Sequence, residues 1–316
     1  SGVWTMQSQM QAVSAGTWPI ISPPGLYSWG QNNTGQLGLG NTTYYSSPKQ
    51  VGALTNWLSV SCGRYHTVSI KTDGTLWSWG YNANGQLGLN NLTYYSSPKQ
   101  VGALTTWSSV SCGGYYTVSI KTDGTLWSWG QNNNGQLGLG NITSYSSPKQ
   151  VGALTTWLSV SCSSNHTVSI KTDGTLWSWG SNSYGQLGLG NVTNYSSPKQ
   201  VGALMTWSSV ACGPYHTVSI KTDGTLWSWG QNNFGQLGLN NVTNYSSPKQ
   251  VGALTTWSSV SCGYYDTVSI KTDGALWSWG RNNNGQLGLG NTTNYSSPKQ
   301  VGALTTWSSV SCGDNS

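Results

Sequence analysis

Six cysteines, Cys62, Cys112, Cys162, Cys212, Cys262 and Cys312, recur at a spacing of 50 residues. Paired thiols would form disulfides, and converging thiolates would hold a soft metal. The spacing fits neither chemistry. One thiol per unit places every cysteine at the same point of its unit, and equivalent points around a closed ring stay about 7 Å or more apart, beyond the Cα separation a disulfide tolerates. Metal sites use mixed, convergent ligands. The expectation is six free, buried thiols, assembled in a reducing compartment, with no metal and no cofactor.

Histidine occurs at His66, His166 and His216, and the same slot holds Tyr116 and Asp266 in other units. General acid–base or nucleophilic catalysis would need a partner at fixed spacing, and none recurs. The chain has no Glu, and Asp73, Asp123, Asp173, Asp223 and Asp273 all stand in the same turn, so paired carboxylates are not expected. The glycines of Gly35 to Gly40 do not lead from a strand into a helix as a phosphate-binding loop does. The chain therefore reads as a non-enzyme.

The net charge is +6, yet only 6% of residues are charged. Lys71 and its counterparts neighbour the turn aspartates and are expected to cancel locally. Lys49, Lys99, Lys149, Lys199, Lys249 and Lys299 form an uncompensated ring of single charges. Nucleic-acid binding would call for a clustered patch or a basic tail, so only a weak preference for anionic surfaces follows. Asn41, Asn91, Asn141, Asn191, Asn241 and Asn291 each open an Asn-x-Thr triplet, read here as side-chain-to-backbone turns rather than glycan sites.

These residues must be positioned by a repeat. The chain has 316 residues, with 42 Gly, 19 Trp, 17 Tyr and one Phe. Strong helix formers are scarce, whereas Val, Thr, Trp and Tyr favour pleated backbone. Trp-Gly closes a common segment at Trp29-Gly30, Trp79-Gly80, Trp129-Gly130, Trp179-Gly180, Trp229-Gly230 and Trp279-Gly280. One unit reads as four strands: Trp107 to Cys112, Thr117 to Lys121, Thr125 to Gly130 and Pro148 to Leu154. Asp123-Gly124 supplies the tight turn between the second and third.

A single four-stranded sheet cannot bury both faces, so the units stack, and a closed stack removes its exposed ends. Thr17, Trp18 and Ile20 align with Thr67, Val68 and Ile70, so the N-terminus carries strands two to four of a blade. Trp307 to Cys312 is a first strand without followers. Together they complete one blade, which predicts an all-β, closed β-propeller of six four-stranded blades over residues 17–316, with an open solenoid as the competing architecture. The small residues of Ser109 to Gly113 suit the crowded centre. Trp127 and Trp129 suit the wide gap between blades.

The run from Leu126 to Asn141, with Ser147-Pro148, Cys112-Gly113 and His66-Thr67, resembles the repeat of the regulator of chromosome condensation family, a β-propeller family usually of seven blades. The resemblance covers residues 17–316, and six units are a departure from that number. It implies that the His66 slot is structural, its imidazole bonding to backbone. It also implies a regulatory alternative, such as a small-GTPase exchange factor or enzyme inhibitor. Exchange activity in the family depends on features outside the bare repeat, and no insertion interrupts the 50-residue period here.

Differences between the copies fall in two connections, the turn between strands one and two and the loop after strand three. In an up-and-down blade both emerge on the same side. Arg64, Tyr65, Tyr81, Tyr115, Asn165, Tyr184, Tyr215, Phe234, Tyr264 and Arg281 are the candidate contact residues, with exposed Phe234 and Tyr184 lacking an evident packing need. Drift at tolerant loops is the bland alternative.

Residues 1–16 lie outside the repeat. Val3, Met6, Met10 and Val13 fall at helical intervals, which predicts a short docking segment against the propeller, another subunit or an assembly. Gly2 to Trp4 with Ala15 to Pro19 is also similar to short leaders of structural proteins in tailed bacteriophages. The start lacks a basic, apolar secretory pattern, and no stretch approaches the roughly 18 apolar residues of a spanning helix. The leading functional expectation is a non-enzymatic, virion-associated structural or host-adhesion protein that binds protein partners or surface glycans through its variable loops. It would be assembled in a reducing cytoplasm and displayed on a virion or extracellular surface, with a cytoplasmic regulator as the alternative.

Overall fold

The computed structural model describes residues 25–313, and every helix or strand in them is a β-strand. Strands β1 (Tyr27–Gly30) and β2 (Tyr45–Gln50) form a two-stranded antiparallel sheet. Twenty more strands form five four-stranded antiparallel sheets. The first is β3 (Trp57–Cys62), β4 (His66–Lys71), β5 (Leu76–Gly80) and β6 (Tyr95–Gln100). The second is β7 (Trp107–Cys112), β8 (Tyr116–Lys121), β9 (Leu126–Gly130) and β10 (Tyr145–Gln150). The third to fifth sheets repeat this pattern as β11–β14, β15–β18 and β19–β22, over residues 157–200, 207–250 and 257–300.

These sheets are the blades of a six-bladed propeller. All six cysteine positions, from Cys62 to Cys312, line one axial cavity of about 150 Å³. The first strands of successive blades are laced together around it. The Cys112 N–H donates to Ser61 Oγ at 2.9 Å, Cys162 to Ser111 at 3.0 Å, and Cys212 to Ser161 at 3.1 Å. Where Ala211 replaces the serine, that bond has no acceptor, and the thiol-to-carbonyl bond that Cys112 and Cys212 also make remains, from Cys262 to Ala211 O.

The sixth blade is seen in part. Its outer half is the β1–β2 sheet, and 307–312 docks on the fifth blade through Trp307 N–H to Gly274 O at 3.2 Å and Cys312 N–H to Ser261 Oγ at 3.0 Å. The expected first strand, Trp307 to Cys312, joins no sheet among the described residues, because a first strand ladders only with a second. That second strand, with Thr17 and Ile20, lies outside the described residues, as does the expected docking segment 1–16. Trp29 is 51% exposed, while Trp79, Trp129, Trp179, Trp229 and Trp279 are buried.

The second strand of each blade explains the core. His-Thr-Val-Ser-Ile-Lys is buried along its whole length in β4, because it is flanked within its sheet and covered on both faces by neighbouring blades. Val118, Ile120, Leu126, Leu137, Trp157 and Trp179 form one such interblade core. Both strand-three indoles pack at the interblade gap, Trp129 buried within it and Trp127 half-buried against it. Trp129 is fully buried, donates Nε1–H to Gln86 O of the preceding blade at 2.9 Å, and meets Trp107 edge-to-face at 5.9 Å. Trp127 is half-buried and donates to Thr125 Oγ1 in its own blade.

The hairpin turn is as expected: Gly124 has φ +76°, and Asp123 Oδ1 accepts from the Thr125 N–H and hydroxyl. Strand four differs from its expected range. It runs Tyr145–Gln150 rather than Pro148 to Leu154, because Tyr145 pairs with Gly130 and a left-handed Gly152, φ +63°, turns the chain immediately after Val151. The Asn-x-Thr triplets do cap loops: Asn91 Oδ1 accepts the Thr93 N–H at 3.0 Å, and buried Asn82 holds both Asn91 O and the Leu87 N–H.

Candidate interaction face

Both variable connections lie on one side of the disc. Tyr81 N–H donates to Tyr65 O at 2.8 Å, Gln131 to Tyr115 at 2.9 Å, Ser181 to Asn165 at 2.8 Å, Gln231 to Tyr215 at 2.9 Å and Arg281 to Tyr265 at 2.9 Å. One short bond per blade therefore ties the two loops together.

The side chains gather into two aromatic groups. In the first, Tyr81 packs on Tyr65 at 6.3 Å, Tyr115 at 5.8 Å and Tyr94 at 4.7 Å, and the Arg64 guanidinium lies 5.4 Å over Tyr65. In the second, Tyr215 contacts Tyr184 at 5.2 Å, Tyr264 at 5.7 Å and Tyr265 at 6.2 Å. Phe234 meets Tyr265 at 4.9 Å, and Arg281 stands 5.6 Å over Phe234 and 5.7 Å over Tyr265. Such cation–π contacts are worth about 0.5–1 kcal/mol at exposed sites.

Two expectations need correction here. Phe234 is half-buried, not exposed, and Phe234 and Tyr184 do have packing partners, namely Tyr265 and Tyr215. Asn165 joins neither group; its backbone carbonyl is used, and its side chain interrupts the aromatic row. Tyr94 and Tyr265 belong to the groups but were not among the expected residues. Both stand at slots that differ between repeats, which was the available signal.

Beneath this face lies the His66 slot, and it couples blades rather than bonding to backbone. His66 Nε2 lies 3.1 Å from Thr117 Oγ1, His166 Nε2 3.0 Å from Thr217 Oγ1, and His216 Nε2 3.1 Å from Thr267 Oγ1. Each threonine hydroxyl donates to a glutamine carbonyl, as Thr117 does to Gln86 O at 2.9 Å. The hydroxyl hydrogen is thus committed, so the imidazole is the donor and carries its proton on Nε2. Tyr116, in the same slot, does reach backbone, donating to His166 O at 2.6 Å. Burial pushes His66 and His166 down to about 3 and His216 to about 4, and raises Asp266 to about 7. The imidazoles are neutral, and besides these threonines a second hydroxyl, buried Ser163, lies 2.7 Å from His166 Nδ1.

The thiols are free, but they are less buried than expected. Cys112 is buried, Cys162, Cys212, Cys262 and Cys312 are half-buried, and Cys62 is exposed, because they line the axial cavity. Burial raises Cys162, Cys212 and Cys312 to about 12, so they stay protonated. Lys71 also departs from expectation. It is buried, 3.6 Å over the Trp77 ring and 4.9 Å from Trp57, rather than simply cancelled by Asp73.

The RCC1-like domain model matches residues 25–316. The chain belongs to the RCC1-like domain family. The human WBSCR16 structure superposes with a TM-score of 0.81 at 25% identity, covering 91% of this chain and 79% of that one. Yeast RCC1 (Prp20), solved with Kap60 bound, superposes with a TM-score of 0.81 at 20% identity, covering 93% and 76%. Among curated proteins, the zebrafish (Danio rerio) protein RCC2 homolog is 42% identical over 60 residues, which are 18% of this chain and 12% of that protein. The chain thus aligns with a small part of that relative.

Proposed function

We propose that this RCC1-like propeller is a non-enzymatic, protein-binding regulator that recognises its partner through the variable face. The observation that carries the reading is the pair of aromatic groups, each topped by an arginine, at the sites where near-identical repeats differ. Tyrosine and arginine supply large, amphipathic contact area at low entropic cost, the usual composition of binding hot spots. Membership of the family supports the reading, and the yeast relative Prp20p is described with binding to Gsp1p and histones. The leading expectation of a virion-associated role drew on the same one-sided variability and on residues 1–19, which lie outside the described residues; family membership favours the regulatory alternative.

The experiment replaces Tyr184, Phe234 and Arg281 together by alanine and, as a control, Thr122, Thr172 and Thr222 on the opposite turns. Partners co-purified from the native source should be retained by the control and lost by the face variant. Equal retention by both would remove the face from the interaction. Nucleotide release from small GTPases, measured with the same proteins, separates exchange activity from simple binding. A glycan array with the face variant reads out the carbohydrate alternative.

A further inference from the structure

A second set of features lies away from the variable face, between the blades. The cleft joining the β3–β6 and β7–β10 blades has a volume of about 410 Å³, and its walls include Leu89, Leu104, Trp107, Lys121, Trp127 and Pro148. Equivalent clefts of about 380 Å³ and 400 Å³ form at Trp157/Trp177 and Trp207/Trp227. The periodicity of the chain thus builds the same cavity repeatedly.

The cleft contains an under-solvated cation. Lys121 is 8% exposed, and its ammonium rests 3.7 Å from the Trp127 ring and 5.0 Å from Trp107. Among the described residues no oxygen accepts a hydrogen bond from it. The neighbouring Asp123 acts on it through space, but its Oδ1 is taken by Thr125. Burial lowers the Lys121 pKa, the mark of a charge paid for in lost hydration. The Trp107 Nε1–H, in the same wall, is buried and has no partner either. The cleft therefore offers donors without acceptors, set in apolar walls. A ligand that completes it must bring an acceptor, preferably anionic, on an apolar stem.

We propose that these interblade clefts are carboxylate pockets for an acidic, partly apolar peptide segment of a partner protein, with Lys121 in the first cleft, and Lys171 and Lys221 over the Trp177 and Trp227 walls of the other two, as the anion-recognising groups. Charge complementarity sets the partner. The chain is +6 with no Glu of its own, and the exposed Lys99 and Lys149 stand next to the cleft residues Gln100 and Pro148. The volume admits a carboxylate with its methylene stem and one neighbouring apolar side chain. A phosphodiester backbone would have to shed far more water to enter walls of leucine, tryptophan and proline. This inference concerns a different surface from the variable face and stands apart from it.

The experiment measures fluorescence anisotropy of a labelled peptide of alternating Glu and Leu, against its Gln-Leu counterpart, on the whole protein. The Glu peptide should bind at least tenfold tighter, and the preference should fall with salt. Changing Lys121, Lys171 and Lys221 to methionine, which keeps the apolar stem, should abolish the preference, while Gln at the six rim lysines, including Lys99 and Lys149, should leave most of it. Equal affinity for the two peptides, loss only in the rim variant, or displacement of the peptide by a single-stranded oligonucleotide at lower concentration would overturn the proposal. A readout that needs no variant is the lysine side-chain NMR spectrum of the unaltered protein titrated with the Glu-Leu peptide. Shifts of the ring-shielded Lys121, Lys171 and Lys221 side chains support the pockets, and shifts confined to rim lysines overturn them.

Discussion

Acid should unfold this propeller through its interblade histidines, and a single substitution already present in the chain should blunt the effect. His216 is buried, neutral and held at about 4, against 6.5 when unfolded. Its folded pKa is depressed, so the unfolded chain binds the proton first, and stability is lost as the pH falls below about 6.5. Between pH 7.5 and pH 5 linkage gives a loss of about 2 kcal/mol for one such histidine and about 6 kcal/mol for His66, His166 and His216 together. Asp266 works in the other direction. Its pKa is raised to about 7 by burial, so the folded state is penalised as the pH rises above the unfolded value, and acidification returns about 2.5 kcal/mol over the same interval. The net expectation is a loss of about 3.5 kcal/mol. His216→Tyr copies the second blade, where Tyr116 fills the slot beside Gly113 and donates to the next blade. Gly213 leaves the same room. Urea unfolding followed by tryptophan fluorescence at the two pH values should show the variant losing about 2 kcal/mol less than the parent. An identical acid loss in parent and variant would refute the assignment of a neutral, donor imidazole to this slot.

Glycine turns should differ sharply in tolerance. At Gly124 a Cβ would collide with the Thr155 carbonyl and φ is +76°, so Gly124→Ala should cost about 2 kcal/mol or more. Gly152 has φ +63° but open space around it, so Gly152→Ala should cost only about 1 kcal/mol by the same thermal-melt comparison. The axial thiols are protonated and shielded, so Cys112, Cys162 and Cys212 should react slowly with a thiol-disulfide reagent at neutral pH and at once in denaturant. Rapid labelling of all three in the native state would contradict the channel geometry.

The repeat, the strand content and the blade count were legible in the chain because a period of 50 residues leaves little freedom once each unit must bury its indoles against the next. The common side of the two variable connections was legible too, since an up-and-down blade alternates its turns. Pairing across blades was not. That Thr117 rather than the imidazole takes the Gln86 carbonyl, that Trp129 is buried in the gap while Trp127 is only half-buried against it, and that Lys121 lies across two indoles all depend on which neighbour a side chain meets. Identical repeats give every unit the same local code, so the sequence determined what each blade is made of. Only the packing of one blade on another decided which atoms share hydrogen bonds, where charge is desolvated, and that the tyrosines and phenylalanine of separate repeats come together on one face.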